Sequence, residues 1–67
     1  MKLNINTIDG NGYYIEVDTS QNLKQAIDYI KSHDYLIGKI VTTGKQIAIV
    51  TNTITTIINQ KKVNKHG

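Results

Sequence analysis

The sequence predicts an α+β domain in two layers: a β-hairpin, one helix, then further β-strands, with the helix packed on a mainly antiparallel sheet of four or five strands. Three observations carry this. Residues 2–17 hold two alternating segments around a glycine-rich turn. Residues 19–32 hold one apolar stripe at helical spacing. Residues 35–59 are rich in Ile, Val and Thr, which favour strands.

In the first strand, 2–8, Leu3 and Ile5 face one way and Lys2, Asn4 and Asn6 the other, the period of a half-buried strand. Ile8 breaks the alternation. Asp9-Gly10-Asn11-Gly12 supplies positive-φ positions and side-chain-to-backbone bonds, and so makes a turn. Tyr13, Ile15 and Val17 restore the alternation, which completes a hairpin. Asp18-Thr19-Ser20 is a run of N-cap residues with Gln21 three beyond Asp18, so the helix is expected over about 19–32. Leu23, Ala26, Ile27 and Ile30 form its stripe, and His33 and Asp34 its exit.

The segment 35–42 reads as a strand in which Gly38 marks a bulge or a close backbone approach. Thr43-Gly44-Lys45 turns the chain into a strand at 46–50, where Ile47 and Ile49 share a face, and Thr51-Asn52 is a weaker turn. In 53–59, Ile54, Ile57 and Ile58 fit a helix as well as a strand, but the unbroken β-branched run from Thr53 to Ile58 decides for a strand. The expected core is Leu3, Ile5, Ile15, Val17, Leu23, Ala26, Ile27, Ile30, Ile40, Ile47 and Ile49. On that layout Ile27→Ala would cost about 2–5 kcal/mol.

A length of 67 residues allows one domain, expected over 1–60, with 61–67 as a basic, flexible tail. The absence of Cys removes disulfides and thiolate metal sites, and no cofactor is implied. No apolar run reaches the length of a membrane span, and Met1-Lys2 leads into alternation rather than an apolar block, so a cytoplasmic protein away from membranes is the expectation.

Little in the chain supports catalysis. Asp9-Gly10-Asn11-Gly12 resembles the middle of an EF-hand calcium loop, but Thr7 and Asp18 stand where the first carboxylate and the bidentate Glu belong, and strands flank it. His33 and His66 are the only histidines; one sits at a helix exit, where a cation suits the dipole, and the other at the terminus. The carboxylates fall at a turn (Asp9), a solvent face (Glu16), a cap (Asp18) and a polar helix face (Asp28), not in a cleft. The reading is a non-enzymatic protein.

Charge is uneven. All five carboxylates lie before residue 35, whereas Lys39, Lys45, Lys61, Lys62 and Lys65 follow with no acid among them. These five lysines are the candidate contacts for an anion or nucleic acid. Against this, the chain has no Arg, and Tyr13, Tyr14, Tyr29 and Tyr35 are not interleaved with lysines. One helix covers one sheet face only, which leaves Ala48, Val50, Ile54, Ile57 and Ile58 as the candidate self-association surface of a homodimer. The favoured function is protein–protein binding, with a small lysine-rich nucleic-acid-binding protein as the alternative.

The opening MKLNINTIDGNGYYIEVDTSQNLKQAIDYIK resembles a ubiquitin-like β-grasp, a hairpin followed by a helix after an acid-Thr-Ser cap. That resemblance implies a shape, and the lack of a diglycine tail keeps conjugation chemistry out of it. The Ile-rich segment IAIVTNTITTII resembles the small uncharacterised proteins of phages, plasmids and mobile elements of low-GC Gram-positive bacteria, a source that twelve Ile, seven Asn and eight Lys without Arg also suit. That second resemblance implies no agreed activity; the small size and the lack of a catalytic constellation suit a regulator or inhibitor of a larger protein.

Overall fold

A computed structural model describes residues 1–59. The expected tail, 61–67, lies outside the described residues. The chain forms β1 (Lys2–Thr7), β2 (Gly12–Glu16), α1 (Leu23–Ser32), β3 (Tyr35–Ile40), β4 (Gln46–Val50), a 3-10 turn (Thr51–Thr53) and β5 (Ile54–Asn59). The five strands make one antiparallel sheet in the order β4-β3-β2-β1-β5, with α1 against it, the predicted α+β arrangement.

That order forces the sheet to coil. β4 and β5 are its two edges, yet only Thr51–Thr53 joins them. Four strand spacings of a flat sheet span about 19 Å. The four residue steps from Val50 to Ile54 reach at most about 14 Å. The edges must therefore curl toward each other at this end. Backbone bonds on the connection agree: the Thr51 amide donates to Asp34 at the start of β3 (2.9 Å), and the Thr53 carbonyl accepts from Ile8 at the end of β1 (2.8 Å).

The core lies inside the coil. Leu3, Ile5, Ile15, Val17, Ala26, Leu36 and Ile49 are buried, with Leu23, Tyr29, Ile30, Ile40, Ile47, Ile54 and Ile57 among those packed around them. Two expectations are corrected here. Leu36, absent from the expected core, is 1% exposed, whereas Ile27 is 38% exposed. Helical residues turn by about 100° each. With Ala26 at the centre of the contact, Ile27 sits about 100° round the axis, and Tyr29 takes its place on the sheet side.

The helix also begins one turn later than expected. Its N-cap is Asn22, whose Oδ1 accepts from the Gln25 amide (2.9 Å), while Gln25 Oε1 accepts from the Gln21 amide (2.8 Å). This reciprocal pair does what a capping box does. Asp18-Thr19-Ser20 serves instead as the descent from the sheet, with Val17 and Ser20 both buried. At the other end Ser32 Oγ donates to the Asp28 carbonyl (3.0 Å), and the His33 ring stacks on Tyr29 at 3.7 Å.

The ambiguous segment is a strand, and a bulge explains its spacing. Ile57 pairs with Ile5 and Thr56 with Asn6, but Ile54, not Thr55, pairs with Thr7. The extra residue, Thr55, bonds its hydroxyl to the Asn6 carbonyl (3.2 Å). Ile54 and Ile57 thus both face the core at a spacing of three, which a regular strand does not allow.

Candidate functional site

The most accessible chemistry of the described residues is on β4, sequence Gln-Ile-Ala-Ile-Val, which carries no charge. Its backbone direction follows from its hairpin. In the register with β3, Tyr35 faces Val50, Ile37 faces Ala48 and Lys39 faces Gln46. The Ile40 amide bonds the Lys45 carbonyl (2.8 Å) beyond one end of the ladder, and the Thr51 amide bonds Asp34 beyond the other. Antiparallel pairs alternate between bonded and non-bonded. Ile47 and Ile49 therefore bond β3, and the N–H and C=O groups of Gln46, Ala48 and Val50 point away, along the open edge.

Apolar surface lies on both sides of this edge. On the outer face, Tyr35, Ile37 and Val50 are 55%, 47% and 43% exposed around Ala48. Along the edge, a mostly apolar groove of about 340 Å3 separates β4 from the β1–β2 turn, with Ile47 to Val50 facing Ile8, Tyr13 and Thr53, and Asp9 its one charged lining residue. The coil creates the groove, because it brings the β4 edge toward the end of β1 without pairing the two.

The structure divides the expected self-association surface. Ala48 and Val50 stand on the outer face, and Ile58 is exposed on β5 beside Asn4. Ile54 and Ile57 pack against the core. Tyr35 and Ile37 take their place in the patch beside Ala48 and Val50. Only the register could reveal this, since 35–40 is apolar on both faces.

Of the expected anion contacts, Lys39 is exposed on β3 and Lys45 in the following turn, while Lys61, Lys62 and Lys65 lie outside the described residues. Lys39 sits opposite Glu16, which sits opposite Lys2 on its other side. A second depression, beside Lys39, is lined by Glu16 and Asp18 as well. Charges therefore alternate here and do not build a positive field.

The calcium-like loop is a hairpin turn. Gly10 takes φ 88°, in the left-handed region. Asp9 Oδ1 accepts from the Thr7 hydroxyl and from the Asn11 amide (3.3 Å), and Oδ2 accepts from the Asn11 side chain (3.0 Å). The Thr7 bond first, and then the Asn11 amide, hold the Asp9 carboxyl below its ordinary range. A carboxyl depressed in the folded state stabilises above its unfolded pKa of about 3.9 and loses that contribution as pH falls through the lower folded value. Thr7→Val should raise the Asp9 titration midpoint, followed by carboxyl-carbon NMR. An unmoved midpoint would remove the hydroxyl as the main cause.

Among the described residues no cluster of His, Cys, Asp or Glu is placed to hold a metal ion, and no helix is long and apolar enough to cross a membrane. Fold and site together define a small coiled-sheet α+β domain with an uncharged open edge. The chain matches no protein-family model, no curated protein and no solved structure.

Proposed function

We propose that this protein is a non-enzymatic protein-binding module that takes up an extended protein segment as a sixth strand on the edge of β4. One observation carries the reading: the outward backbone groups of Gln46, Ala48 and Val50 run between an apolar patch and an apolar groove. In strand addition, main-chain bonds give affinity and alternate side chains give specificity. Here successive side chains of the incoming strand fall on the patch and into the groove. Edge strands usually carry Lys or Pro to block such pairing. β4 has neither. Nucleic-acid binding has less support, because Lys39 sits opposite Glu16 and shares a depression with Glu16 and Asp18.

The test is an amide NMR titration with a capped peptide of alternating Val and Thr, beside the same peptide N-methylated at alternate residues. The expected result is shifts and slowed hydrogen exchange at Gln46, Ala48 and Val50, with no response to the methylated peptide. Equal responses to both, or shifts confined to other strands, would end the reading.

A further inference from the structure

The same edge is self-complementary, and we infer that its occupant is a second copy of this chain, paired β4 to β4 about a two-fold axis through Ala48. The inference rests on the strand-addition reading and names the partner. In an antiparallel pair centred on Ala48, Ala48 faces Ala48 of the second copy and Gln46 faces Val50. These are the residues whose backbone groups point along the open edge, so both of these pairs are of the bonded kind. A centre at Ile47 or Ile49 also lets outward groups meet, but leaves Val50 or Gln46 facing a residue beyond the strand, whereas the Ala48 centre pairs all three.

The side chains agree. On the outer face the axis passes between two Ala48 methyl groups, the smallest side chain of the strand, so the closest contact brings no clash. The apolar patches of the two copies then join into one, each formed by Tyr35, Ile37 and Val50 around Ala48. On the inner side Ile47 meets Ile49 of the second copy across a close, non-bonded pair, at the groove wall.

Charge also fits. β4 contains no charged residue, so no like charges oppose one another. Lys45 precedes the strand, and the residue following it, Thr51, is bonded to Asp34. The two-fold lays Lys45 of each copy over the Thr51–Asp34 end of the other, a positive end on a negative one. A head-to-head parallel pairing would instead set Lys45 beside Lys45. An isologous contact of this kind closes after two copies and does not propagate.

Sedimentation equilibrium of the full chain should find a species of twice the 7.5 kDa protomer at high micromolar concentration. In a sample mixed from isotope-labelled and unlabelled chains, a filtered NOE should connect the Hα of Ile47 to the Hα of Ile49 of the second copy. Within one chain these protons are two strand residues apart and give no such signal. Ala48→Lys places two ammonium groups at the axis and should weaken the dimer by roughly 100-fold or more. Thr56→Lys, on the outer face of β5, should leave it unchanged. A dimer that lacks the NOE, survives Ala48→Lys or is lost in Thr56→Lys overturns the β4 pairing. A chain that stays at 7.5 kDa also overturns it. The peptide titration then judges strand addition separately: β4 shifts retain that reading, and their absence ends it too.

Discussion

Leu36→Ala is expected to lower the unfolding free energy by about 2–5 kcal/mol, the cost of a leucine lost from a packed interior. Leu36 is 1% exposed and faces Ile49 across the β3–β4 ladder, inside the cluster formed with Leu3, Ile5 and Ile15. Its truncation opens a cavity where the hairpin meets the rest of the sheet. Stability of roughly 0.05–0.15 kcal/mol per residue puts a chain this short at roughly 3–10 kcal/mol, so the loss takes a large share. Ile27→Ala is the matched comparison. Ile27 is 38% exposed on the flank of α1, and its truncation should cost less than about 1 kcal/mol. At about 4–8 °C per kcal/mol for a domain of this size, the two variants separate clearly in a melting experiment. Equal losses would mean that α1 sits on the sheet rotated towards Ile27.

The contrast between these two residues shows where the sequence stops being informative. A stripe of Leu23, Ala26, Ile27 and Ile30 establishes that a helix has an apolar face. It does not establish the centre of that face to better than one residue, about 100° of rotation. The sheet decided for Ala26, a small residue that lets the helix approach, and left Ile27 outside. The helix start failed for a related reason. Asn22 and Gln25 repeat the spacing of Asp18 and Gln21 one turn on, so spacing alone does not select the cap. Burial of Val17 and Ser20 selected the second.

The hairpin was legible because its alternation is one-sided: Leu3, Ile5, Ile15 and Val17 are apolar while most intervening positions are polar. β3 and β4 are apolar on both sides, so their existence could be read but their facing could not. That is why no local pattern marks Tyr35 and Ile37 as surface or Leu36 as core. β5 was legible as a strand from its β-branched run. Its bulge at Thr55 was not, and without it Ile54 and Ile57 cannot both be placed inward. The open edge itself is a property of strand order, which no local pattern encodes. It arises because β5 pairs with β1 rather than with its neighbour in sequence, β4.

Gly38→Ala tests the geometry on which that edge depends. Replacing glycine by alanine in a strand ordinarily stabilises, since it narrows the unfolded ensemble. Here the sign should reverse. A Cβ at Gly38 would lie 2.7 Å from the Glu16 carbonyl oxygen, 3.1 Å from Val17 Cγ1 and 3.3 Å from Ile15 Cδ1. The first neighbour is backbone, held in β2 by its pairing with β1, so it cannot swing aside as a side chain would. Overpacking of this kind costs about 1–3 kcal/mol. The damage should also be local. β2 and β3 share a short register, Ile15 with Ile40 and Glu16 with Lys39, and Gly38 lies immediately beyond it. Forcing the strands apart there loosens the hold of the core on the whole β3–β4 hairpin, so the amides of Ile47 and Ile49 should exchange faster than those of β1. Gly12→Ala is the control: its Cβ would meet only the Asn6 side-chain oxygen at 3.1 Å, which can rotate away. Denaturant unfolding should therefore rank Gly38→Ala well below Gly12→Ala. A neutral or stabilising Gly38→Ala would show that β3 does not cross β2 so closely, and the placement of the β4 edge would fall with it.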